Sequence, residues 1–378
     1  MLRGGLGVVL LAGCVNPKDR CCGLDTGPTD TDADADADAD ADTDTDADGD
    51  TDTDTTAAET CGGGNVVLFE HEDGSRDDVT AGFLDGTYQT FDAPGRLLVC
   101  PGVWYARLLI RAPVDVVGLG ADPSETTLSG GESGTVLDVS GKGNALTVSN
   151  LTIDRGEGLD KAHNSGGGGI YCEDFATVDV DGVSFTHNFA NDGSALYATD
   201  CHVSVLQSVF ADNVSEDDGG AVTLWYSEGV FEDVRMVGNV SLDGGAMAIF
   251  YSTASFTRAS FEDNVATSFS GGIWVYYSDI TMSQSLFARN DNPTGQAGGL
   301  FVYGTAYLDR VNFTDNVARM GGALFSYYDA TVQGTACDFV NNTPDDVYQA
   351  DYTSEGGVSY VAGSAATFTC EGNVCYGL

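Results

Sequence analysis

The chain has 378 residues and a formal charge of −43 at pH 7. A surface this acidic repels polyphosphates, polyuronates and anionic lipid headgroups, so we expect no nucleic acid as a partner. Fifty Gly, 18 Phe, 16 Tyr and only three Lys are typical of a turn-rich β protein rather than a helical one.

The first residues have the pattern of an export signal. Arg3 precedes the apolar run Leu6–Ala12, which is too short to span a membrane but suits the core of a signal peptide. The following Leu11-Ala12-Gly13-Cys14 resembles the bacterial lipobox. That resemblance implies removal of residues 1–13 and lipidation of Cys14. We therefore expect an exported protein, anchored by lipid in the outer membrane or at the cell surface.

Residues 14–60 form an acidic segment. From Asp30 to Asp54 nearly every second residue is Asp, so the segment has no apolar surface to bury and repels itself, which predicts a disordered stalk. The stretch Asp44–Gly49 matches the opening of a calcium loop, although Thr55 occupies the place of the closing Glu. We therefore predict no cofactor and no metal site, with calcium here as the alternative.

A repeat dominates the rest of the chain. Phe or Met, followed three residues later by Asn, occurs seven times at steps of 25 or 26 residues. Each pair is preceded by small residues and an apolar strand, as at Gly244-Gly245-Ala246-Met247. The pairs are Phe185/Asn188, Phe210/Asn213, Met236/Asn239, Phe261/Asn264, Phe287/Asn290, Phe313/Asn316 and Phe339/Asn342.

This period predicts an all-β fold, a single-stranded right-handed parallel β-helix with about 26 residues per coil. A coil of that length holds three short strands and their turns, and coils stacked about 4.8 Å apart pair in parallel. We expect the Phe column to stack inside the helix. We expect the Asn column to lie at a tight turn in the left-handed conformation and to hydrogen-bond the adjacent coil as a structural ladder.

The FxxN and GGA-apolar motifs of residues 167–342 resemble the repeats of polymorphic outer-membrane proteins, a family of surface-displayed bacterial β-helices linked to adhesion. The resemblance implies a displayed, adhesin-like β-helix. This chain ends without an evident membrane barrel, so lipid would have to replace the barrel as the anchor.

The β-helix is expected over residues 61–378, with caps at about 61–96 and 343–378, because terminal coils need their exposed edges covered. Apolar runs at 97–100, 108–110, 114–118 and 145–148 predict the opening coils. Ten cysteines suit an oxidising compartment, and the disulfide candidates are Cys61 with Cys100 and Cys370 with Cys375.

The candidates for catalysis lie in residues 154–164, where the step from Leu151 to Phe185 lengthens to 34 residues. Asp154, Lys161 and His163 there could supply a base, an acid or a metal ligand, and a solvated loop whose charges neutralise one another is the alternative. An enzyme of the polysaccharide lyase or glycoside hydrolase type is thus the second functional hypothesis. The first is a binding or structural protein.

An aromatic stripe carries the binding hypothesis. Tyr226, Tyr251, Tyr277 and Tyr303 each lie ten residues before their Phe or Met, which predicts one column. Three of them follow another aromatic residue, namely Trp225, Phe250 and Tyr276. Neighbours on a strand face opposite sides, so one column must lie outside or at a turn. We predict a flat platform there for the apolar faces of a neutral polysaccharide, or for another cell-surface molecule, and packing of the aromatic edge against a loop or a neighbouring molecule is the alternative.

Overall fold

The computed structural model describes residues 60–62, 64–158, 166–351, 356–362, 364–372 and 374–378. The predictions about the signal peptide, Cys14, the stalk, the calcium-loop match, Lys161 and His163 lie outside these residues. Among the described residues, no helix has the length and apolarity needed to cross a membrane.

Each coil contributes one strand to each of three parallel sheets, which we number in chain order within a coil. Sheet 1 contains Tyr88–Phe91, Arg107–Ile110, Leu137–Ser140, Ile170–Glu173, Leu196–Thr199, Val222–Trp225, Met247–Phe250, the first parts of Ile273–Ser283 and Leu300–Asp309, the end of Val317–Ser326, and Thr343–Ala350. Sheet 2 contains Gly95–Val99, Val114–Gly118, Ala145–Ser149, Thr177–Asp181, His202–Leu206, Glu228–Glu232, Thr253–Thr257, the later parts of Ile273–Ser283 and Leu300–Asp309, and the start of Thr331–Val340.

Sheet 3 carries the Phe and Met residues of the repeat. It contains Gly102–Tyr105, Thr126–Ser129, Thr152–Asp154, Ser184–Thr186, Val209–Ala211, Arg235–Val237, Ser260–Glu262, Leu286–Ala288, Asn312–Thr314 and the end of Thr331–Val340. Short strands after sheet 3 lie at Phe189–Ala190, Val214–Ser215 and Asp291–Asn292, and 3-10 turns at Thr80–Phe83 and Pro123–Glu125. The predicted right-handed parallel β-helix is confirmed.

Antiparallel strands close sheet 2 at both ends. Val67–His71 pairs with Gly95–Val99 and with Arg76–Asp78 at one end. Ala366–Glu371 pairs with Thr331–Val340 and with Val374–Tyr376 at the other, while Gly357–Tyr360 pairs with the last strand of sheet 1. Parallel coils begin at Tyr88–Phe91, inside the segment expected to be a cap.

The predicted Phe column is present. Phe185, Phe210, Met236 and their successors face each other in register and are buried. The rings of Phe185 and Phe210 stack with centroids 4.6 Å apart and planes 2° apart. Successive coils approach so closely that Gly245 cannot carry a side chain. A Cβ on Gly245 would lie 2.2 Å from the Gly271 carbonyl oxygen in the next coil, which explains the glycine at this position.

The Asn column forms a ladder between coils, as expected. The Asn264 Nδ2 donates to the Oδ1 of Asn290 at 3.0 Å and to the Met236 carbonyl at 3.0 Å. Its own Oδ1 accepts from the backbone N–H of Asn239 at 3.0 Å. Each rung therefore satisfies both backbone and side-chain groups of the neighbouring coils.

The first two rungs, Asn188 and Asn213, make the same kind of contact. The Asn188 Nδ2 donates to the Asn213 Oδ1 at 3.0 Å and to the Ile153 carbonyl at 3.1 Å. Both side chains are fully buried, so these amides are structural and inaccessible to a ligand.

The left-handed conformation predicted for the Asn column was wrong, for Asn188 and Asn213 as for the later members. None of these asparagines has positive φ, whereas the residue just before each one does, as with His187 at φ 52° and Asp212 at φ 55°. The preceding residue makes the tight turn, because the Asn itself must direct its amide inward between two coils. The turn was thus placed one residue too late.

Three disulfides occur among the described residues. Cys61–Cys100 and Cys370–Cys375 are the two predicted pairs. The third, Cys172–Cys201, was not predicted, and it joins adjacent coils inside the core. Its cysteines are 29 residues apart because Cys172 lies on sheet 1 opposite Ala198, and Cys201 lies three residues further on, at the corner. Cys337 is a buried free thiol.

Candidate functional site

The corner between sheets 1 and 2 places three tyrosines outside the coil. Tyr226, Tyr251 and Tyr277 have φ of 48°, 50° and 46° and are 54%, 42% and 49% exposed. The left-handed conformation is uncommon for a bulky side chain, and it costs roughly 1–2 kcal/mol per residue. Gly, Asn or Asp would occupy this corner at lower cost, and Asp200 does so in the preceding coil. Function is one reason for such strain to persist.

These three tyrosines stack along the helix axis. The centroids of Tyr226 and Tyr251 are 5.1 Å apart with planes 13° apart, and those of Tyr251 and Tyr277 are 5.6 Å and 9° apart. Near-parallel rings at these distances stack with an offset, one behind another, and cannot lie side by side in one plane. The predicted flat platform was therefore wrong. The stack presents ring edges and hydroxyl groups to solvent, and Tyr226, at its end, has one face that no other ring of the stack covers.

A second aromatic column runs beside the stack on the outer face of sheet 1. Trp225, Phe250, Tyr276 and Tyr303 face each other in register, and Trp225, Tyr276 and Tyr303 are half-buried. Phe250 is only 3% exposed, so its prediction as a ligand contact was wrong. We call Trp225, Tyr226, Tyr251, Tyr276, Tyr277 and Tyr303 the aromatic ridge.

The placement of Tyr303 corrects the predicted column. Tyr303 pairs with Tyr276 rather than with Tyr277, because the register shifts between Tyr276 and Ser278. The coil of Tyr303 has one residue fewer at the corner and one more in the connection before it, so counting back ten residues from Phe313 gives the wrong partner. The Tyr303 hydroxyl nevertheless hydrogen-bonds that of Tyr277.

Two hydroxyl groups of the ridge, those of Tyr276 and Tyr303, stay protonated. Burial first, and then the neighbouring Tyr251 and Tyr277, raise the pKa of Tyr276. The hydrogen bond with the Tyr277 hydroxyl, and then burial, raise the pKa of Tyr303. These two residues therefore offer neutral hydroxyl groups, which both donate and accept hydrogen bonds.

Sequence reasoning missed a second apolar cluster behind the ridge, also on the outer face of sheet 1. Trp274, Phe301 and Phe325 are buried there. Phe269, from the connection between coils, stacks on Trp274 with centroids 4.3 Å apart. The half-buried Trp225 and Tyr276 pack against this cluster, which fixes the ridge on the outer face of sheet 1. The alternation of Trp274 with the inward Ile273 and Val275 was a signal for this outer layer.

An acidic cluster lies at the connections before the glycine turns. Carboxylate oxygens of Asp192, Asp217 and Asp218 lie within 4.8 Å of one another. Burial first, and then the charges of Asp192, Asp217 and Asp243, raise the pKa of Asp218 to about 8. Burial also raises the pKa values of Asp192 and Asp243. Oxygen donors of this kind are those that hard cations prefer, so in the part of the chain that the structure describes these residues are the candidates to hold such an ion.

Because of the raised pKa values in this cluster, we expect the folded protein to become less stable as pH rises. The folded state keeps a proton on Asp218 that the unfolded chain releases near its ordinary value of 3.8, so stability declines between about pH 4 and the folded pKa of about 8. We expect the urea midpoint to be higher at pH 5 than at pH 8.5, and Asp218→Asn to raise it at pH 8.5. The exposed Asp179→Asn is the control. Equal midpoints at both pH values in the wild type, with and without added CaCl₂, would contradict this.

Only one of the three catalytic candidates, Asp154, lies in the described residues. Its Oδ1 lies 3.0 Å from Nδ1 of His187 and accepts a hydrogen bond from the Thr186 hydroxyl at 2.9 Å. A depression of about 560 Å³ beside it is lined by Tyr105, Glu132 and Arg155, among others. His187 was missed, although the register that aligns Asp154 with Thr186 across the lengthened step places it there.

The model of the right-handed β-helix region family matches residues 135–374, so the chain belongs to the right-handed β-helix family. Over 173 residues the chain is 29% identical to metabotropic glutamate receptor-like protein P of Dictyostelium discoideum, a match that covers 45% of this chain and 12% of that protein. The chain thus spans only a small part of this relative.

Two solved structures resemble the fold. The catalytic domain of a GH87 α-1,3-glucanase, solved with tetrasaccharides, has a TM-score of 0.37 at 10% identity, and the likeness covers 71% of this chain and 58% of that one. PfbA, a surface adhesin of Streptococcus pneumoniae, has a TM-score of 0.25 at 10% identity, with coverages of 78% and 91%. Likeness at this level carries no inference about activity.

Proposed function

We propose that the protein is an exported β-helix, held in a membrane by lipid on Cys14, that binds neutral glycans without cleaving them. The observation that carries the proposal is the row of three exposed tyrosines, each in the strained left-handed conformation at the same corner of successive coils. These exposed tyrosines stack into a continuous aromatic surface, which supports a role in contact with a ligand.

The chemistry of the ridge favours a neutral, hydroxyl-rich ligand. The ridge offers ring edges, tyrosine hydroxyls and one open ring face at Tyr226, all held rigid by stacking. Rigid aromatic side chains lose little conformational entropy on binding. The charge of −43 disfavours polyanionic glycans, whereas hydroxyl groups meet a neutral glycan without charge repulsion.

The test replaces the strained tyrosines with a residue that suits the corner. Tyr226→Asn/Tyr251→Asn/Tyr277→Asn should fold at least as well as the wild type, because Asn tolerates positive φ. It should lose roughly tenfold or more of the apparent affinity measured by affinity electrophoresis in amylopectin, laminarin, galactomannan or xylan, since three aromatic contacts disappear.

The control for this test is Gln207→Asn/Gln284→Asn, at the corner between sheets 2 and 3, where both residues also have positive φ. A wild type that migrates freely in every neutral polysaccharide would end the proposal. If the folded triple variant were retarded as strongly as the wild type, the ridge would not be the glycan-binding site.

The three disulfides support export, because such bonds persist in oxidising compartments. For the anchor we expect Cys14→Ser to move the protein from the membrane fraction to the soluble fraction, since the acylated thiol is lost. Fractionation after a high-salt wash measures this, with Cys21→Ser as the control. A Cys14→Ser protein that stays with the membranes would contradict lipidation at Cys14.

A carbohydrate-active enzyme is the second candidate, and the pairing of Asp154 with His187 beside a polar depression favours it. Asp154 orients the imidazole, whose other nitrogen would be free to move a proton. Release of reducing or unsaturated sugars in the same panel, abolished by His187→Ala, would favour this candidate over binding alone.

A further inference from the structure

The outer face of sheet 2 beyond the ridge has an unusual composition. Over four successive coils, most of its outward positions carry short hydroxyl side chains, namely Thr253, Ser255, Thr257, Thr281, Ser283, Thr305, Thr331 and Thr335. Short side chains on a parallel sheet give an even floor lined with hydrogen-bonding groups.

Tyr307 is the one aromatic side chain on this floor. It is 48% exposed, and its partners in register are Thr281 on one side and Gln333 on the other. Along its own strand the outward neighbours are Thr305 and Asp309. None of these four is aromatic, so the ring of Tyr307 is not part of an aromatic stack like that of the ridge.

Two depressions meet at Tyr307. One, of about 400 Å³, is lined by Glu228, Thr253, Asp279 and Thr305 among others. The other, of about 320 Å³, is lined by Thr257, Ser283, Asp309 and Gln333 among others. Ser255, Thr281 and Tyr307 line both. The two therefore form one trough that crosses several coils and passes the ring of Tyr307.

We infer that this trough is a subsite for an extended neutral polysaccharide, with one sugar packed on the Tyr307 ring and its neighbours hydrogen-bonded to the threonine and serine floor. The inference rests on the proposed glycan binding and locates where the chain runs. Charge decides the class of ligand. The described residues that line the trough include carboxylates of Glu228, Asp279 and Asp309 and neither Lys nor Arg. Carboxylates accept hydrogen bonds from sugar hydroxyls and repel anionic chains.

Binding in the trough would also give a reason for the single large aromatic side chain, Tyr307, among short side chains. A ring flanked by short side chains can offer its face, whereas the ridge tyrosines cover one another. Aromatic faces bind apolar faces through stacking and burial, and the hydroxyl floor then fixes the register of the chain.

The experiment compares variants of the full chain by affinity electrophoresis in amylopectin, laminarin, galactomannan and xylan, with polygalacturonate as an anionic probe and gelatin as a polypeptide probe. Tyr307→Ala should weaken the apparent affinity for the retarding neutral polysaccharide roughly tenfold. Tyr307→Phe keeps the ring and should stay within about twofold of the wild type. Tyr88→Ala, which removes an exposed tyrosine in the first strand of sheet 1, is the matched control. The urea midpoint of each variant verifies folding.

The outcomes separate this inference from the proposed function. A wild type retarded by a neutral polysaccharide, together with a folded Tyr307→Ala that is equally retarded, overturns the trough and leaves glycan binding standing. A second outcome is that retardation persists in the ridge triple variant and disappears in Tyr307→Ala. That result would support the trough as the binding site and exclude the ridge. Retardation in gelatin or polygalacturonate alone would overturn both, as would a wild type that nothing retards.

Discussion

Asn264→Ala is expected to lower the free energy of unfolding by roughly 2–6 kcal/mol, because two buried backbone groups lose partners at about 1–3 kcal/mol each, while the side chains of Asn239 and Asn290 each keep another partner. The backbone N–H of Asn239 loses its acceptor, and the Met236 carbonyl loses the amide that donates to it. Asn264 is fully buried, so water cannot replace either bond. Urea unfolding followed by circular dichroism measures the loss.

Asn342→Ala should cost less, although Asn342 makes the same contacts, with Asn316 and with the Phe313 carbonyl. Asn342 is half-buried near the end of the ladder, where solvent can reach the freed groups. The exposed Asn312→Ala, on the outer side of sheet 3, should leave stability within about 0.5 kcal/mol. Equal midpoint shifts for Asn264→Ala and Asn342→Ala would show that burial along the ladder does not set the cost.

Removal of the disulfide between coils is expected to have an effect of similar size. Cys172→Ala/Cys201→Ala opens a loop with a sequence separation of 29, for which chain entropy predicts a loss of about 3.5 kcal/mol. Cys370→Ala/Cys375→Ala opens a separation of only 5, so about 2 kcal/mol is expected. Chemical denaturation of both double variants, with the free Cys337→Ala as a further comparison, gives the two differences.

The buried position of Cys172 and Cys201 adds a kinetic expectation. Their relative exposures are 0% and 2%, so a reductant should reach this bond only when the coils open. Mass spectrometry after dithiothreitol treatment under native conditions should find it intact. Rapid native reduction, or a loss of stability no larger than that for the pair Cys370 and Cys375, would contradict the role of a clamp between coils.

The repeat predicts the fold because one physical requirement recurs in every coil. A buried ring and a buried amide must each meet their equivalents about 4.8 Å away, so Phe261 and Asn264 leave a periodic trace in the sequence. The cysteine pair Cys172 and Cys201 leaves none, since it joins positions that differ within the coil. For the same reason the left-handed corners escaped prediction, because Asp, Arg and Tyr all occupy them.

The binding surface was only partly predictable. Alternation along Val222–Trp225 and its equivalents places one aromatic column outside, and the structure agrees. Ring orientation, however, depends on χ angles and on neighbours in the next coil, which no pattern in a single sequence records. The same holds for Tyr307, whose isolation among Thr281 and Gln333 appears only once the coils are in register.

The closed ends of sheet 2 have a consequence for how such a chain can vary. Among the described residues between Val67–His71 and Ala366–Glu371, the parallel strands of each coil pair with their equivalents in the coil before and the coil after. Duplication of one 26-residue unit by unequal exchange between gene copies would lengthen the protein by about 4.8 Å and leave both closing strands in place. Insertion of a few residues inside a strand would instead move side chains between core and solvent. Changes in length by whole units, or within the connections and corners between strands, are therefore the ones this architecture tolerates.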